Sequence, residues 1–435
     1  MFAILYTIII GLFVIFNTKI YKKFVNYLNV FLIMFYIVAI FSMFGLYGFR
    51  VPTDKTYWYL LIALISFEFF TIVFMSIKVN KGKYIENEKI NTKILTTISI
   101  LITILMIPTT FEGIKILTQY GFTAVRSAAF SNDIYSSYTK IMLTYILVPL
   151  NKAVFIYSLV YYLKEKKCKL SIVITIINTI QTIATFGGRS VIVELTLIIL
   201  VAIYIKNRGK IFEILKKNYK LIFLVVLLFI IITTVTRERT ISKNEGFLFN
   251  LYSYYVGSIH LFDIHLNNPS ISLLDGNHLL YGKAMFNPII DIFKILIKLI
   301  GIDTNMLSGI EIINNQVQQY IQVTNSFKMN NNVTFMYVCL RDFGVCGLII
   351  GPMYISLWIT FIYKKYIYNH SIKNEVLYIY IVSSLPYFIF EFFINKTSFL
   401  ITIILIILLY KLICKNKLKN KKQENLYEKN KEIFN

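Results

Sequence analysis

The chain has 435 residues, of which 57% are hydrophobic and only 15% charged, and its mean hydropathy is +0.65. No water-soluble domain has that balance. The formal net charge of +23 would suit nucleic acid if it gathered on a soluble face, but the lysines close long apolar runs and so report membrane orientation instead.

Apolar runs of spanning length, or slightly short of it, lie at 2–17, 24–47, 57–77, 94–111, 141–163, 170–187, 191–205, 221–236, 338–363, 375–394 and 398–413. They predict an all-α polytopic membrane protein with about 11 transmembrane helices. Eight fall in 1–236 and three in 333–413, separated by one large extracytoplasmic loop at 237–332 and followed by a basic tail at 414–435. Most of the 45 Lys and Arg residues sit in alternate connections, at 19–23, 78–93, 164–169, 206–220, 364–373 and from 411 onward. The positive-inside rule puts those segments in the cytoplasm, the N-terminus outside and the C-terminus inside. The first run lacks a preceding basic segment and a small-residue cleavage site, so it reads as a retained helix. Residues 415–431 read as a solvated basic segment near anionic lipid.

The outer connections are then 50–56, 112–140, the Gly187-Gly188-Arg189-Ser190 turn, 237–332 and 395–397. In the large loop, 247–266 is apolar enough to span. Inserting it would place Lys364 and Lys365 outside, so it reads as a helix lying in or dipping into the outer surface. From Ile289 to Lys298 polar residues occur only at Asp291, Lys294 and Lys298, a narrow polar stripe expected of an amphipathic, interfacial helix. The Asn- and Gln-rich stretch 305–332 reads as irregular. Cys168 and Cys414 lie among cytoplasmic lysines, and two helical turns hold Cys339 and Cys346 about 10 Å apart, beyond disulfide reach.

Only Arg208 lies in a basic cytoplasmic segment; Arg50, Arg126, Arg189, Arg237, Arg239 and Arg341 all map outside, opposite to the lysines. A planar guanidinium fork suits phosphate oxygens, while pairing with Glu238, Asp342 or lipid headgroups is the structural alternative. Gly187 and Gly188 permit a tight turn between two short helices, which would sink Arg189 into a cavity, facing either an anionic ligand or Glu194. Arg237 and Arg239 bracket Glu238; two apart on a helix, they do not share a face. Lys152 lies in mid-run beside Asn151, so it faces the bundle interior toward a partner or a ligand.

For acid–base work the outer side offers His260, Asp263, His265, Asp275, His278, Glu311 and Asp342. The histidine spacing makes no metal set, and no nucleophile elbow supports a serine hydrolase.

Asn332-x-Thr334 followed by Asp342-Phe343-Gly344-x-x-Gly347, at the opening of a membrane helix, resembles the motif of Wzy-type oligosaccharide repeat-unit polymerases of O-antigen and capsule. Also similar are Gly188-Arg189-Ser190, Tyr255-Val256-Gly257-Ser258 with Phe262-Asp263, and Tyr281-Gly282-Lys283-Ala284-Met285-Phe286. The likeness covers 90–415. Related O-antigen ligases often place His-Asn before the Gly-x-x-Gly element, where this chain has Asn331-Asn332-Val333.

The resemblance implies a glycosyltransferase of the bacterial plasma membrane using undecaprenyl-diphosphate-linked oligosaccharide as donor and acceptor, with membrane lipid, a flippase and a chain-length regulator as partners and no cofactor or metal. Arg189, Arg237, Arg239, Arg126 and Arg341 would neutralise the leaving diphosphate, and Asn332, Thr334 and Lys152 would contact substrate. Asp342, His278 or His260 would accept the proton. An O-antigen ligase-like transferase and a lipid-linked oligosaccharide flippase are the alternatives, the latter without need of so large a loop.

Overall fold

A computed structural model describes residues 2–207 and 247–414, apart from 22–23, 25, 79–87, 131–134, 189, 269–270, 272, 275, 303–306, 326, 331 and 370; within 208–246 it describes only Tyr219, Phe223 and Leu227. The described chain is helical, with one two-stranded hairpin, and six of its helices are long and apolar enough to cross a membrane. It divides into two compact units, one built from 1–80, 233–365 and 381–400, the other from 81–232, 366–380 and 401–435.

In the first unit α1 (Phe2–Tyr21), α2 (Tyr27–Met43) and α3 (Asp54–Ser76) pack together. Asn26 starts α2 by accepting the Asn29 amide at 2.9 Å. Asn29 itself is buried and donates to the Phe24 carbonyl at 2.7 Å and Thr18 Oγ1 at 2.9 Å, which ties α2 to the end of α1. Phe31, Phe35, Phe67, Phe335 and Phe388 interleave as the aromatic core.

The apolar stretch at 247–266 forms two helices, α9 (Phe247–Tyr255) and α10 (Gly257–Asn267), and neither reaches spanning length. The junction is tight because a Cβ on Gly257 would lie 2.7 Å from Met329. Asp263 on α10 accepts from the Thr53 amide at 2.8 Å, Thr53 Oγ1 at 2.6 Å and Thr56 Oγ1 at 2.7 Å, so it caps the start of α3.

α11 (Asn287–Leu299) docks by its polar stripe. Asp291 accepts from Asn287 at 2.8 Å and Thr397 at 2.7 Å, and Lys294 pairs with Glu311 at 2.6 Å. Its apolar residues Ile289, Phe293 and Leu296 are exposed, as is Ile300 just beyond. The stretch expected to be irregular instead holds α12 (Gly309–Val317), nucleated by a Ser308–Glu311 capping box, and the hairpin β1 (Ile321–Gln322) with β2 (Lys328–Met329).

Two expected single spans are broken. The run at 338–363 is α13 (Phe335–Phe343), a turn at 344–346 and α14 (Gly347–Tyr368). The motif therefore sits in the break, with Gly347 the first residue of α14. Gly344 takes φ +57, and a Cβ on Gly347 would lie 1.9 Å from the Cys339 carbonyl, so glycine is required at both positions. The run at 375–394 holds the 13-residue α15 (Ile372–Ser384), followed by 3₁₀ turns Leu385–Ile389 and Phe393–Asn395. Pro386 lacks the N–H an α-helix needs there and disfavours helical geometry at Leu385.

In the second unit α4 (Thr92–Phe130) continues through much of what reads from the sequence as the outer connection 112–140, with its only non-helical residue at Gly121 (φ 79). A Cβ on Gly113 would lie 2.1 Å from the Ala184 carbonyl, which explains the close approach of α4 to α7 (Lys169–Phe186). The helix α5 (Ser137–Ile141) runs through a π turn at Met142–Leu147 into α6 (Val148–Glu165). The 17-residue helices α8 (Ser190–Lys206) and α16 (Thr397–Ile413) follow, and the predicted span 221–236 lies almost wholly outside the described residues. All four cysteines are free.

Candidate functional site

The break between α13 and α14 gathers the first unit's polar chemistry. Arg341 is 3% exposed, and its Nη1 donates to the carbonyls of Leu273, at 3.3 Å, and His278. Its Nε donates to Gln316 Oε1 on α12 at 3.1 Å. The neighbouring carboxylate points at the same stretch of chain from the other side: Asp342 accepts the amide of Ala284 at 3.1 Å and that of Met285 at 2.6 Å. Main-chain bonds from Leu280 to the Arg341 carbonyl (2.9 Å) and from Tyr281 to that of Asp342 (3.0 Å) complete the clamp. A guanidinium, a carboxylate and two carbonyls thus fix Leu273 and 278–285 on α13.

Beside this clamp lies a cleft of about 460 Å³ lined by Ile271, Leu273, Leu307, Ile312, Asn315, Gln316 and Gln319. Two of its lining residues, Leu273 and Gln316, are held by Arg341. Primary amides offer paired donors and acceptors beside apolar side chains, a lining suited to a polyhydroxylated ligand with apolar faces.

The sequence-predicted residues fall around this site unequally. Arg341, Asp342 and His278 come together; His278 is exposed, with its carbonyl on Arg341. Asn332 is half-buried just ahead of α13, and Thr334 is its N-cap residue, buried, with Oγ1 unpartnered. His260 is elsewhere in the unit, buried on α10 between Phe49 (ring centroids 4.9 Å) and Tyr252, whose Oη is 3.5 Å from Nε2. Burial pushes its pKa down to about 4, against the opposing pull of the Arg50 backbone and Asp263. Burial alone does the same to His265, whose ring sits edge-on to Tyr337 at 5.1 Å. Both imidazoles are neutral at neutral pH. Arg189, Arg237, Arg239 and Asp275 lie outside the described residues.

Asn315 and Gln316 fall in α12, within a stretch that reads from the sequence as irregular, and Gln319 follows just beyond it. The Ser308-x-x-Glu311 signature was the available signal.

In the second unit Arg126 is exposed near the end of α4. Lys152 on α6 pairs with Glu194 on α8 at 2.6 Å, both mostly buried, and its ammonium lies 5.7 Å from the Tyr380 ring. A cavity of about 20 Å³, enough for one water molecule, is lined by this pair with Asn151, Thr179 and Thr182. Asn178 donates to Asn151 Oδ1 at 3.0 Å and accepts from Thr103 at 2.6 Å, which extends the polar track from α6 across α7 to α4.

Comparison with protein-family models, with curated proteins and with solved structures finds no match for this chain.

Proposed function

We propose that this chain is a multi-pass membrane glycosyltransferase of the Wzy type, joining polyprenyl-diphosphate-linked oligosaccharide repeat units outside the plasma membrane. The observation that carries the reading is the amide-lined cleft beside Arg341, at the break where the polymerase-like motif falls. In this reading about 11 spans cross the bilayer, the N-terminus is outside and the C-terminus inside, and 237–332 is the outer loop that holds the cleft.

The acceptor sugar hydroxyl attacks the anomeric carbon of the donor chain. A carbon–oxygen bond forms there as the bond to diphosphate breaks, with inversion, and the hydroxyl proton passes to a base. Of the three base candidates, His278 is the exposed one and its main chain is pinned by Arg341. Asp342 has both carboxylate oxygens engaged by backbone amides, and His260 is buried with a depressed pKa. Arg341 acts through position, holding Gln316 and the main chain of Leu273 and His278 at the cleft, while Arg189, Arg237 and Arg239 neutralise the departing diphosphate.

The test is polymerisation by purified protein from a synthetic lipid-diphosphate repeat unit in excess chelator. Polymer is expected, with chain length lost in Gln316→Leu and Arg189→Ala. A requirement for magnesium or manganese, or full activity in both variants, overturns the reading. The buried Lys152–Glu194 pair gives a transporter a specific foothold as second reading. Accumulation of single repeat units outside the membrane on deletion supports the polymerase, and accumulation inside supports a flippase.

A further inference from the structure

Glu68 lies in the middle of α3, which is apolar and long enough to cross a membrane, and the residue is 2% exposed within the protein itself. Its Oε2 accepts a hydrogen bond at 3.1 Å from Asn17 Nδ2 on α1, and Asn17 is 1% exposed. Oε1 is buried with no partner. On the helices around it, the titratable groups are Tyr6, Tyr21 and the exposed Lys19 on α1, Tyr27 and Tyr36 on α2, Tyr57 on α3 itself, and Tyr363 and Lys364 on α14. The Tyr21 and Tyr27 hydroxyls are 3.4 Å apart, and the Tyr27 and Tyr363 rings are 4.4 Å apart. Lys364 directs its ammonium at the carbonyls of Phe74, at 2.5 Å, and Ile77, closing the end of α3. Among the described residues no cation pairs with Glu68.

A carboxylate needs several donors or a cation, and Glu68 has a single neutral amide. Ionised, it would be an uncompensated charge in the least polar part of the protein; protonated, it leaves only one hydroxyl unsatisfied, a far smaller cost. We propose that Glu68 is a proton-binding site inside the membrane, with the proton on Oε1 and the carbonyl oxygen Oε2 accepting from Asn17 on α1. Losing the proton would strengthen the bond from Asn17 but leave negative charge on Oε1 with no donor in apolar surroundings, so the packing of α1 on α3 favours the neutral acid. The site is independent of the Arg341 cleft and of the reaction proposed for it.

The experiment uses the full chain in lipid nanodiscs at neutral pH. The infrared difference between wild type and Glu68→Gln is expected to contain the carbonyl stretch of a protonated acid, shifting down in heavy water. Asn17→Leu should move that band to higher frequency, because it removes the hydrogen bond to Oε2. Wild type treated with dicyclohexylcarbodiimide, which attacks protonated carboxyls in apolar surroundings, should carry its adduct on Glu68, as read by peptide mass spectrometry; this arm needs no variant to fold. A carboxylate stretch lost in Glu68→Gln, or no adduct on Glu68, overturns the proposal. Protection from the carbodiimide by sodium at fixed pH also overturns it, by giving the carboxylate to a metal cation.

Discussion

Asp342 Oδ2 accepts the amide of Met285 at 2.6 Å across 57 residues of sequence. The carboxylate of the polymerase-like motif therefore works as a strut, terminating the backbone of 281–286 where it turns into α11.

Asp342→Asn and Asp342→Ala should accordingly lower the thermal midpoint. Asparagine retains one acceptor and presents an NH₂ group to a backbone N–H; alanine leaves two buried amides unsatisfied, at about 1–3 kcal/mol each. Thermal unfolding in one detergent checks this. A variant with unchanged midpoint and abolished polymerisation would instead make Asp342 a catalytic group.

Arg341→Lys keeps the charge and loses the fork that spans Leu273, His278 and Gln316. Hydrogen exchange in 273–285 should rise while that of α1 to α3 stays constant. If the chain is the proposed polymerase, the chain length of its product falls with it. Unchanged exchange across 273–285 would show that the main-chain bonds alone hold the cleft wall.

Lys152→Met and Glu194→Gln, made singly, should each destabilise by about 3–5 kcal/mol, because each leaves one buried charge without its partner. The double variant Lys152→Met with Glu194→Leu should recover much of that loss. Recovery of stability without recovery of activity would assign the pair a role in transport or substrate contact; recovery of both would make it purely structural.

His260 and His265 carry the pH dependence of the α10 region. Folding lowers each pKa from 6.5 to about 4, so the unfolded chain holds more protons between those values. Stability is complete above about pH 6.5 and falls as pH drops toward 4. Replacing either imidazole with Phe should flatten the slope of thermal midpoint against pH over that window.

The membrane character of the chain was legible because lipid demands long apolar helices, and α1, α3, α4 and α7 follow their runs closely at one end or both. Hydropathy has no resolution for breaks inside an apolar run. It therefore missed the Gly344 kink, whose cause is a backbone dihedral, and the Pro386 turn, which aromatic burial of Phe388 and Phe390 against Phe31, Phe335, Tyr254 and Tyr255 keeps folded. α12 was hidden for the opposite reason. Its Asn and Gln residues depress hydropathy, while the Ser308 and Glu311 cap that starts it is a local signal. Of the clamp, Arg341 and Asp342 stood out as charges in an apolar context, whereas Gln316 and the carbonyls of Leu273 and His278 carry no mark in a sequence.

α11 turns its charged edge inward and its isoleucine, phenylalanine and leucine side chains outward. A purified preparation therefore has a second oily stripe to keep wetted besides the girdle around the spans. Small micelles that strip from it leave two molecules free to zip together along that stripe, giving a dimer on a sizing column that vanishes in a longer-chained detergent or with Phe293→Ser.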